Sequence, residues 1–369
     1  MKKRFEREEK YTIDERTGRR LRQVTDHPSI NHQPFFLIPA YSDDMRYLYF
    51  ISHRTGTPQV FVEDKQDKCF YQLTDVQNIN EWSLHPHNSL VYYIADGCAM
   101  RTSAETGETQ VLLDSAAAAG FSSGAINPGT TPITPGTTAV SACGQYWAIR
   151  VVGPDGFSIL IYDNATGKWK KEYTGIMVSH MQFCPDDPDL LFFAGPLTDR
   201  VWLLDRKAGA ARRVFQRDAA AKQWITHESW IPGTKELSLV DWPNGIIAVN
   251  VETGATRRMT GFNAWHAIAN SQGTLTVADT NFPDNGLILC DSLAENGKGV
   301  ALCYPEATCQ GAHWAGPFPY DNGPIKVNAP QHTHPHPRFT PDGKTVVFSS
   351  DKSGFAQIFE IEVPENILK

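Results

Sequence analysis

Seven short runs of β-branched and aromatic residues recur along this chain, each after a segment rich in turn-forming residues. Runs of this kind between turn segments are typical of β-strands. No long amphipathic helix pattern accompanies them, so the chain is predicted to consist of seven repeated β units. The runs are YLYFIS (47–52), LVYYIA (90–95), WAIRVV (147–152), LLFFAG (190–195), LSLVDW (237–242), LTVADT (275–280) and TVVFSS (345–350).

A second marker, a Thr-Gly or Ala-Gly turn followed by a short strand, follows several of these runs. Gly167, Gly209 and Gly254 of this marker are spaced 42 and 45 residues apart. This spacing is typical of a four-stranded propeller blade. The copies are TGETQVLLD (106–114), TGKWKKEYTG (166–175), AGAARRVFQR (208–217) and TGATRRMTG (253–261).

The two ends of the chain predict how the ring closes. The last unit ends in IFEIEVPENILK without its Thr-Gly strand, whereas the N-terminal segment TGRRLRQVTD (17–26) supplies one too many. We therefore expect residues 19–25 to form the outer strand of the last blade, which removes sheet edges. The prediction is an all-β, seven-bladed β-propeller that forms a single domain over residues 1–369.

One segment, about 115–138, interrupts the repeat and is predicted to be a loop insertion rich in Ala, Gly, Thr and Pro. It contains GFSSG (120–124), which formally matches a nucleophile elbow. That motif requires a strand before it and a helix after it. Neither is predicted here, so we interpret the match as coincidence.

Composition and charge argue against nucleic-acid binding, a membrane span and secretion. The net charge of −7 argues against a nucleic-acid partner, which usually requires a basic face. The sequence has no apolar run of about 18 residues, so no membrane span is expected. The first residues are charged without an apolar signal-peptide core, and the seven cysteines include no CxxC pair. These features predict reduced thiols and a cytoplasmic protein.

Four histidines share one position relative to the repeat, five residues before a hairpin-turn segment. On a propeller this position lies on the innermost strands, so the four imidazoles should converge and form a metal or proton-transfer site. The histidines are His180, His227, His266 and His336, and the corresponding positions of the first three blades are Leu37, Glu81 and Thr137.

The densest cluster is QHTHPHP (331–337), where His334 and His336 should point the same way on an extended segment. Gln331 can add an amide oxygen, and His266 from the neighbouring blade adds a third nitrogen. This donor set suits Mn²⁺, Zn²⁺ or Fe²⁺. Because it contains no carboxylate, the ion would keep its positive charge and favour an anionic ligand. The alternative is a proline-rich loop with incidental histidines.

Two further side chains could act beside such an ion. A neutral imidazole at His227, in ITHESW, is a plausible general base. Arg200, in TDRVW, could clamp a carboxylate with two hydrogen bonds. The alternative for Arg200 is a surface salt bridge.

Together these segments resemble the oligogalacturonate lyase family, intracellular pectin-degrading enzymes built on a seven-bladed propeller. The segments that carry the resemblance are HMQFCPDDPDLLFF (180–193), TDRVW (198–202), THESW (226–230), AWHAIANSQG (264–273) and QHTHPHPRFTPDGK (331–344). The family usually has an aromatic residue where this chain has Ser229. The 115–138 insertion and the Asn263-Ala264-Trp265 segment are also atypical.

The resemblance implies Mn²⁺-dependent β-elimination on short α-1,4-linked galacturonate chains such as digalacturonate and trigalacturonate. It implies a ligand set of His266, Gln331, His334 and His336. It also implies that His227 is the base, that Arg200 binds substrate and that His180 lines the pocket. Arginine is a poor base at rest, which favours His227 over Arg200 for the proton.

Two other classes stay open on the sequence. One is a non-catalytic binding or scaffold propeller of the TolB-like type, which shares the turn segments but does not require the histidine cluster. The other is a metal-dependent hydrolase or lactonase. Propeller lactonases generally hold Ca²⁺ with carboxylate and amide ligands, whereas the site predicted here is rich in histidine.

Overall fold

The computed structural model describes residues 2–119, 138–280, 285–309 and 333–368. In this part of the chain the single helix, α1, spans five residues, and no helix has the length and hydropathy of a membrane span. The elements in chain order are β1 (Lys3–Glu6), β2 (Lys10–Ile13), β3 (Arg20–Gln23), β4 (Asn31–His32), β5 (Tyr47–Ser52), β6 (Gln59–Asp64), β7 (Cys69–Gln72), β8 (Ile79–His87), β9 (Leu90–Ala95), β10 (Cys98–Ser103), β11 (Thr109–Leu113), α1 (Ser115–Ala119), β12 (Thr138–Val140), β13 (Tyr146–Gly153), β14 (Gly156–Asp163), β15 (Lys168–Gly175), β16 (Ser179–Phe183), β17 (Leu190–Ala194), β18 (Val201–Asp205), β19 (Ala210–Phe215), β20 (Trp224–Ile231), β21 (Glu236–Trp242), β22 (Gly245–Asn250), β23 (Thr256–Thr260), β24 (Ala267–Ala269), β25 (Leu275–Ala278), β26 (Leu287–Asp291), β27 (Val300–Cys303), β28 (Arg338–Phe339), β29 (Thr345–Ser350) and β30 (Gln357–Glu362).

These strands form seven antiparallel sheets, and each sheet is one blade of a β-propeller. The all-β, seven-bladed prediction is therefore confirmed. The seven apolar runs are the second strands of the blades, which are buried along most of their length because they pack between neighbouring sheets. They are β5, β9, β13, β17, β21, β25 and β29.

The Thr-Gly and Ala-Gly turns lead into the outer strands β11, β15, β19 and β23. Gly167 and Gly254 have φ of 68° and 73° in these turns. This left-handed conformation costs glycine little, because glycine has no Cβ to collide with the backbone. The marker therefore identified the tight turn between the third and fourth strands of a blade.

The ring closes through the N-terminal segment, as the sequence predicted. Strand β3 pairs with β30 in blade 7, where Leu21 lies opposite Ile361, and both side chains are buried. The backbone N–H of Val24 also donates to the carbonyl oxygen of Ile358 (2.7 Å). The pairing of β3 with β30 therefore ties the N-terminal segment to the last blade and holds the ring closed.

Two additional strands were not predicted. Strand β2 pairs with β3 and makes blade 7 five-stranded, and β1 pairs with β7 and does the same for blade 1. Arg22 of β3 forms ion pairs with Glu360 of blade 7 (2.8 Å) and with Glu63 of blade 1. The N-terminal segment therefore joins both blades at the closure.

The segment between β4 and β5 enters the central channel. Phe35 and Phe36 are buried there and pack with Leu37, Ile268 and other core residues. The alignment of turns predicts that Leu37 is the blade 1 counterpart of the histidines on an inner strand. This prediction is wrong, because the inner strand of blade 1 is β4 (Asn31–His32). Leu37 lies beyond β4 because blade 1 carries this longer connection. A cavity of about 560 Å³ opens at the end of the channel where the inner strands end and their turns begin.

The predicted loop insertion overlaps a part of the chain that is not described. Helix α1 begins at Ser115 and β12 begins at Thr138. The GFSSG motif (120–124) and Thr137 lie outside the described residues.

Candidate metal and catalytic centre

Three of the four predicted histidines share an unusual backbone conformation. His180, His227 and His336 have φ of 47°, 48° and 46°. Positive φ is uncommon for a residue with a Cβ, and such residues concentrate at functional sites.

For His180 and His227 this conformation coincides with a bulge in the inner strand. The pairing of β16 with β17 shifts between Ser179 and Gln182, and that of β20 with β21 shifts between Thr226 and Ser229. A bulge adds an unpaired residue and changes the direction of its side chain. His180 and His227 occupy these positions.

The structure brings the predicted imidazoles together at the end of the channel where the inner strands begin, here called the histidine mouth. Nitrogen atoms of His266, His334 and His336 lie within 4.8 Å of one another, which is close enough for one metal ion. The ring centroids are separated by 4.2 Å for His266 and His336, 5.3 Å for His266 and His334, and 5.7 Å for His334 and His336. Gln331 lies outside the described residues.

Asp279 fixes the orientation of this group. It follows β25, is buried, and accepts hydrogen bonds from Nδ1 of His266 (2.8 Å) and from the backbone N–H of His336 (3.2 Å). Because Nδ1 of His266 donates, Nε2 carries the lone pair. A histidine that donates one N–H to a carboxylate while the other nitrogen binds a metal is the usual arrangement of metal sites. The donor set therefore fits a divalent transition-metal ion.

His227 is held as a neutral imidazole beside this group. Its ring centroid lies 4.2 Å from that of His266, and its Nδ1 donates to the carbonyl oxygen of Trp265. Nε2 is then the nitrogen able to accept a proton. Burial, reinforced by the neighbouring His266 and His180, lowers the pKa of His227 well below its ordinary value. The ring can therefore act as a base at neutral pH.

Arg200 is held in place by a buried carboxylate. Its Nε donates to Glu228 (2.6 Å), and its Nη2 donates to Nδ1 of His180 (2.9 Å). Since a guanidinium only donates, Nδ1 of His180 accepts and the ring hydrogen lies on Nε2. Although burial acts to raise the pKa of Glu228, the charge of Arg200 lowers it to about 2. Arg200 is thus part of an internal ion pair rather than a surface salt bridge.

The floor of the histidine mouth is aromatic. The Phe35 ring lies 5.1 Å from His336 and 5.4 Å from His180. The Phe36 ring lies 5.0 Å from His266 and 5.7 Å from His227. These two rings pack with Leu37 and Ile268, which line the cavity at the other end of the channel, and therefore lie between the imidazoles and that cavity.

Four of these supporting residues were not identified from the sequence: Asp279, Glu228, Phe35 and Phe36. Asp279 could have been found, because the residue that ends the second strand of a blade lies beside the start of the inner strand. Ser229, the departure from the family pattern, is buried and bonds to the carbonyl oxygen of Ala267 (3.0 Å). That departure therefore affects the contact between blades 5 and 6.

The sequence of this chain matches those of known proteins. Residues 148–367, more than half of the chain, match the family model described as oligogalacturonate lyase. The chain is 28% identical over 202 residues to oligogalacturonate lyase of Dickeya dadantii (strain 3937), which covers 52% of this chain and 51% of that protein. It is 26% identical over 203 residues to oligogalacturonide lyase of Pectobacterium atrosepticum, with the same coverage. Each match spans about half the length of the curated relative.

Solved structures show the same fold over the full length. An oligogalacturonate lyase in complex with manganese has a TM-score of 0.81 at 20% identity, covering 100% of this chain and 99% of that one. The crystal structure of oligogalacturonate lyase from Vibrio parahaemolyticus has a TM-score of 0.78 at 19% identity, covering 99% of both chains. From the family match, the chain belongs to the oligogalacturonate lyase family.

Proposed function

We propose that this protein is a metal-dependent lyase that cleaves short α-1,4-linked galacturonate oligosaccharides by β-elimination. The observation that carries the proposal is the neutral His227 ring, 4.2 Å from His266 in a group of imidazoles that could hold a metal ion. Membership of the family supports this reaction class.

The proposed ligands are His266, Gln331, His334 and His336. Imidazole nitrogens with a neutral amide oxygen suit Mn²⁺, and Zn²⁺ and Fe²⁺ fit the same donors. Asp279 would keep His266 in the tautomer that binds metal through Nε2. A bound Mn²⁺ would supply a Lewis acid that stabilises negative charge on the uronate carboxylate.

Arg200 is proposed to bind substrate. Its Nε and part of Nη2 are engaged by Glu228 and His180, and no hydrogen bond from Nη1 is found among the described residues. The Nη1 edge could therefore donate to a uronate carboxylate. The buried Glu228 fixes the guanidinium, so that little side-chain entropy is lost when the substrate binds. His180 lies beside Arg200 and would line the same pocket.

His227 is proposed to remove the C5 proton at Nε2. The electrons of the C5–H bond then form a C4=C5 double bond, the C4–O4 bond breaks, and the leaving oxygen takes up a proton to become a hydroxyl group. Arginine keeps its proton at neutral pH, so Arg200 is assigned to carboxylate binding. Burial over Phe36 keeps the base neutral until substrate arrives.

The proposed substrates are digalacturonate and trigalacturonate, and the proposed compartment is the cytoplasm. None of the seven cysteines forms a disulfide bond, which suits a reducing compartment.

The test is incubation with digalacturonate while the ultraviolet absorbance of the C4=C5 double bond is followed. We expect absorbance to rise, to stop with a chelator and to return with Mn²⁺. His227→Ala should keep its metal and lose turnover, whereas His85→Ala, a buried histidine of blade 2, should retain activity. Reducing ends that form without this absorbance would show hydrolysis and overturn the proposal.

A further inference from the structure

A second group of metal-binding side chains lies at the histidine mouth, on blades 1 and 2. His32, His53 and Glu81 each offer a ligand atom, and these atoms lie within 4.8 Å of one another. Nε2 of His32 is 2.9 Å from one Glu81 oxygen, and Nε2 of His53 is 3.6 Å from the other. All three residues precede the segment that matches the family model. We propose that this group, here called the second cluster, binds a second divalent transition-metal ion.

The hydrogen bonding of His32 calls for a proton or a metal ion between His32 and Glu81. Nδ1 of His32 lies 3.0 Å from the carbonyl oxygen of Gln33, which can only accept. Nδ1 therefore carries the hydrogen, and Nε2 presents a lone pair to a Glu81 oxygen at 2.9 Å. Two lone pairs at this distance repel each other unless a proton or a metal ion lies between them. The Nδ1 contact is also the one that metal-binding histidines usually make.

The distances within the second cluster suit a metal ion. Ligand atoms about 2.0–2.2 Å from one ion, at tetrahedral or octahedral angles, are about 3.0–3.5 Å apart. The measured separations of 2.9 and 3.6 Å are close to this range. Two imidazoles and one carboxylate form a set that binds Fe²⁺, Mn²⁺ or Zn²⁺ and leaves coordination positions open.

The charge of Glu81 points in the same direction. The Glu81 side chain is 16% exposed and lies between two imidazoles, so its ionised carboxylate is poorly solvated and favours a cation beside it. In the described chain, no Lys or Arg forms an ion pair with Glu81. His32 and His53 are 5% and 4% exposed, so water screens this charge poorly.

The second cluster adjoins the first site through one aromatic side chain. The indole of Trp82 lies 6.2 Å from the His32 ring and 5.8 Å from the His336 ring. Two cations on either side of Trp82 could bind two carboxylates of one oligosaccharide. This consequence rests on the proposed function, whereas metal binding by the second cluster does not.

The test is equilibrium dialysis of chelator-treated, full-length protein against Mn²⁺, with bound metal measured by elemental analysis. We expect two equivalents in the wild type, one in His266→Ala and one in Glu81→Gln. His266→Ala combined with Glu81→Gln should bind none. His85→Asn, a matched variant on the same strand as Glu81, should keep two.

A wild type that binds one equivalent, lost entirely in His266→Ala, would overturn the second site and leave the lyase proposal intact. His53→Asn provides a second variant if Glu81→Gln does not fold, and it should also lose one equivalent. Unchanged metal content in His53→Asn and Glu81→Gln would likewise reject the site, because the cation between His32 and Glu81 would then be a proton. Lyase activity without a second equivalent would separate the failure of this proposal from that of the proposed function.

Discussion

Asp279 contacts His266 at two points. Its Oδ1 accepts the backbone N–H of His266, and its Oδ2 accepts Nδ1–H of the imidazole, both at 2.8 Å. The two bonds fix the backbone and the ring of one residue against a single buried carboxylate. The same carboxylate accepts the backbone N–H of His336 on the next blade (3.2 Å). Asp279 therefore links the positions of two proposed ligands.

Asp279→Asn tests this link. The amide oxygen can still accept hydrogen bonds, but it lacks the charge that makes the imidazole a stronger ligand. We expect Mn²⁺ affinity to fall ~10- to 100-fold, the usual effect of losing such a partner. Titration calorimetry on chelator-treated protein measures it. Asp241→Asn is the control, because Asp241 is a buried carboxylate of blade 5 that bonds to Arg258 and Asn244. Equal Mn²⁺ affinity in wild type and Asp279→Asn would reject this role.

The sequence predicted the features that depend on local chemistry. The blade count follows from strand runs and turn residues, and the closure by residues 19–25 follows from one missing and one surplus strand. The supporting residues depend instead on which strands become neighbours. Glu228, for example, reaches Arg200 only where blades 4 and 5 meet, which no local pattern specifies.

The position of Phe35 and Phe36 in the channel could not be predicted from the local sequence pattern either. The segment QPFFLIPA has the composition of a buried strand, whereas Phe35 and Phe36 follow β4 and pack inside the channel. Their path is set by packing against four histidines from other blades. The positive φ of His227 is a similar case, since the propensity of histidine does not predict a bulge at that residue.

Glu228→Gln should destabilise the fold. Glu228 is fully buried against Arg200, and removal of one partner leaves a buried charge without its counterion. We expect the free energy of unfolding to fall by ~3–5 kcal/mol, measured by urea denaturation. The exposed pair of Arg213 with Asp199 is the control, where Arg213→Ala should cost about 1 kcal/mol or less. A similar loss in both variants would show that Glu228 is no more than an ordinary surface charge.

The same pair predicts an acid dependence. The pKa of Glu228 is about 2 in the fold against an ordinary value of 4.5, so the unfolded chain binds the proton more readily. The stability that this carboxylate contributes is present above pH 4.5 and is lost as the pH falls toward 2. The difference in unfolding free energy between wild type and Glu228→Gln should therefore shrink across this window. A constant difference would contradict the ionised state of Glu228.

Arg22→Ala should weaken the closure of the ring. Arg22 joins Glu360 of blade 7 to Glu63 of blade 1, and both carboxylates lie largely buried. Its loss would leave these two carboxylates with Lys65 as their shared cation and with Arg7 beside Glu63, so we expect a cost of at most ~3–5 kcal/mol. Thermal and urea denaturation measure the change. Arg20→Ala, in the same strand but more exposed, should have little effect. Equal stability of the two variants would show that closure depends on strand pairing alone.

His227 predicts the acid side of the pH–rate profile. Only the neutral ring can accept the C5 proton, and burial places its pKa well below the ordinary value of 6.5. As the pH falls, kcat/KM should hold through pH 6.5 and decline only when the pH approaches the lowered pKa. A bound cation would move this decline in the same direction.

The measurement is kcat/KM against pH at saturating Mn²⁺. Bound metal is determined at each pH, so that loss of the ion is not mistaken for loss of the base. His227→Ala should be slower by ~10²–10⁴-fold, the usual contribution of a general base, and should lack this limb. If His227→Ala keeps the same limb while its metal content is constant, the base is another group.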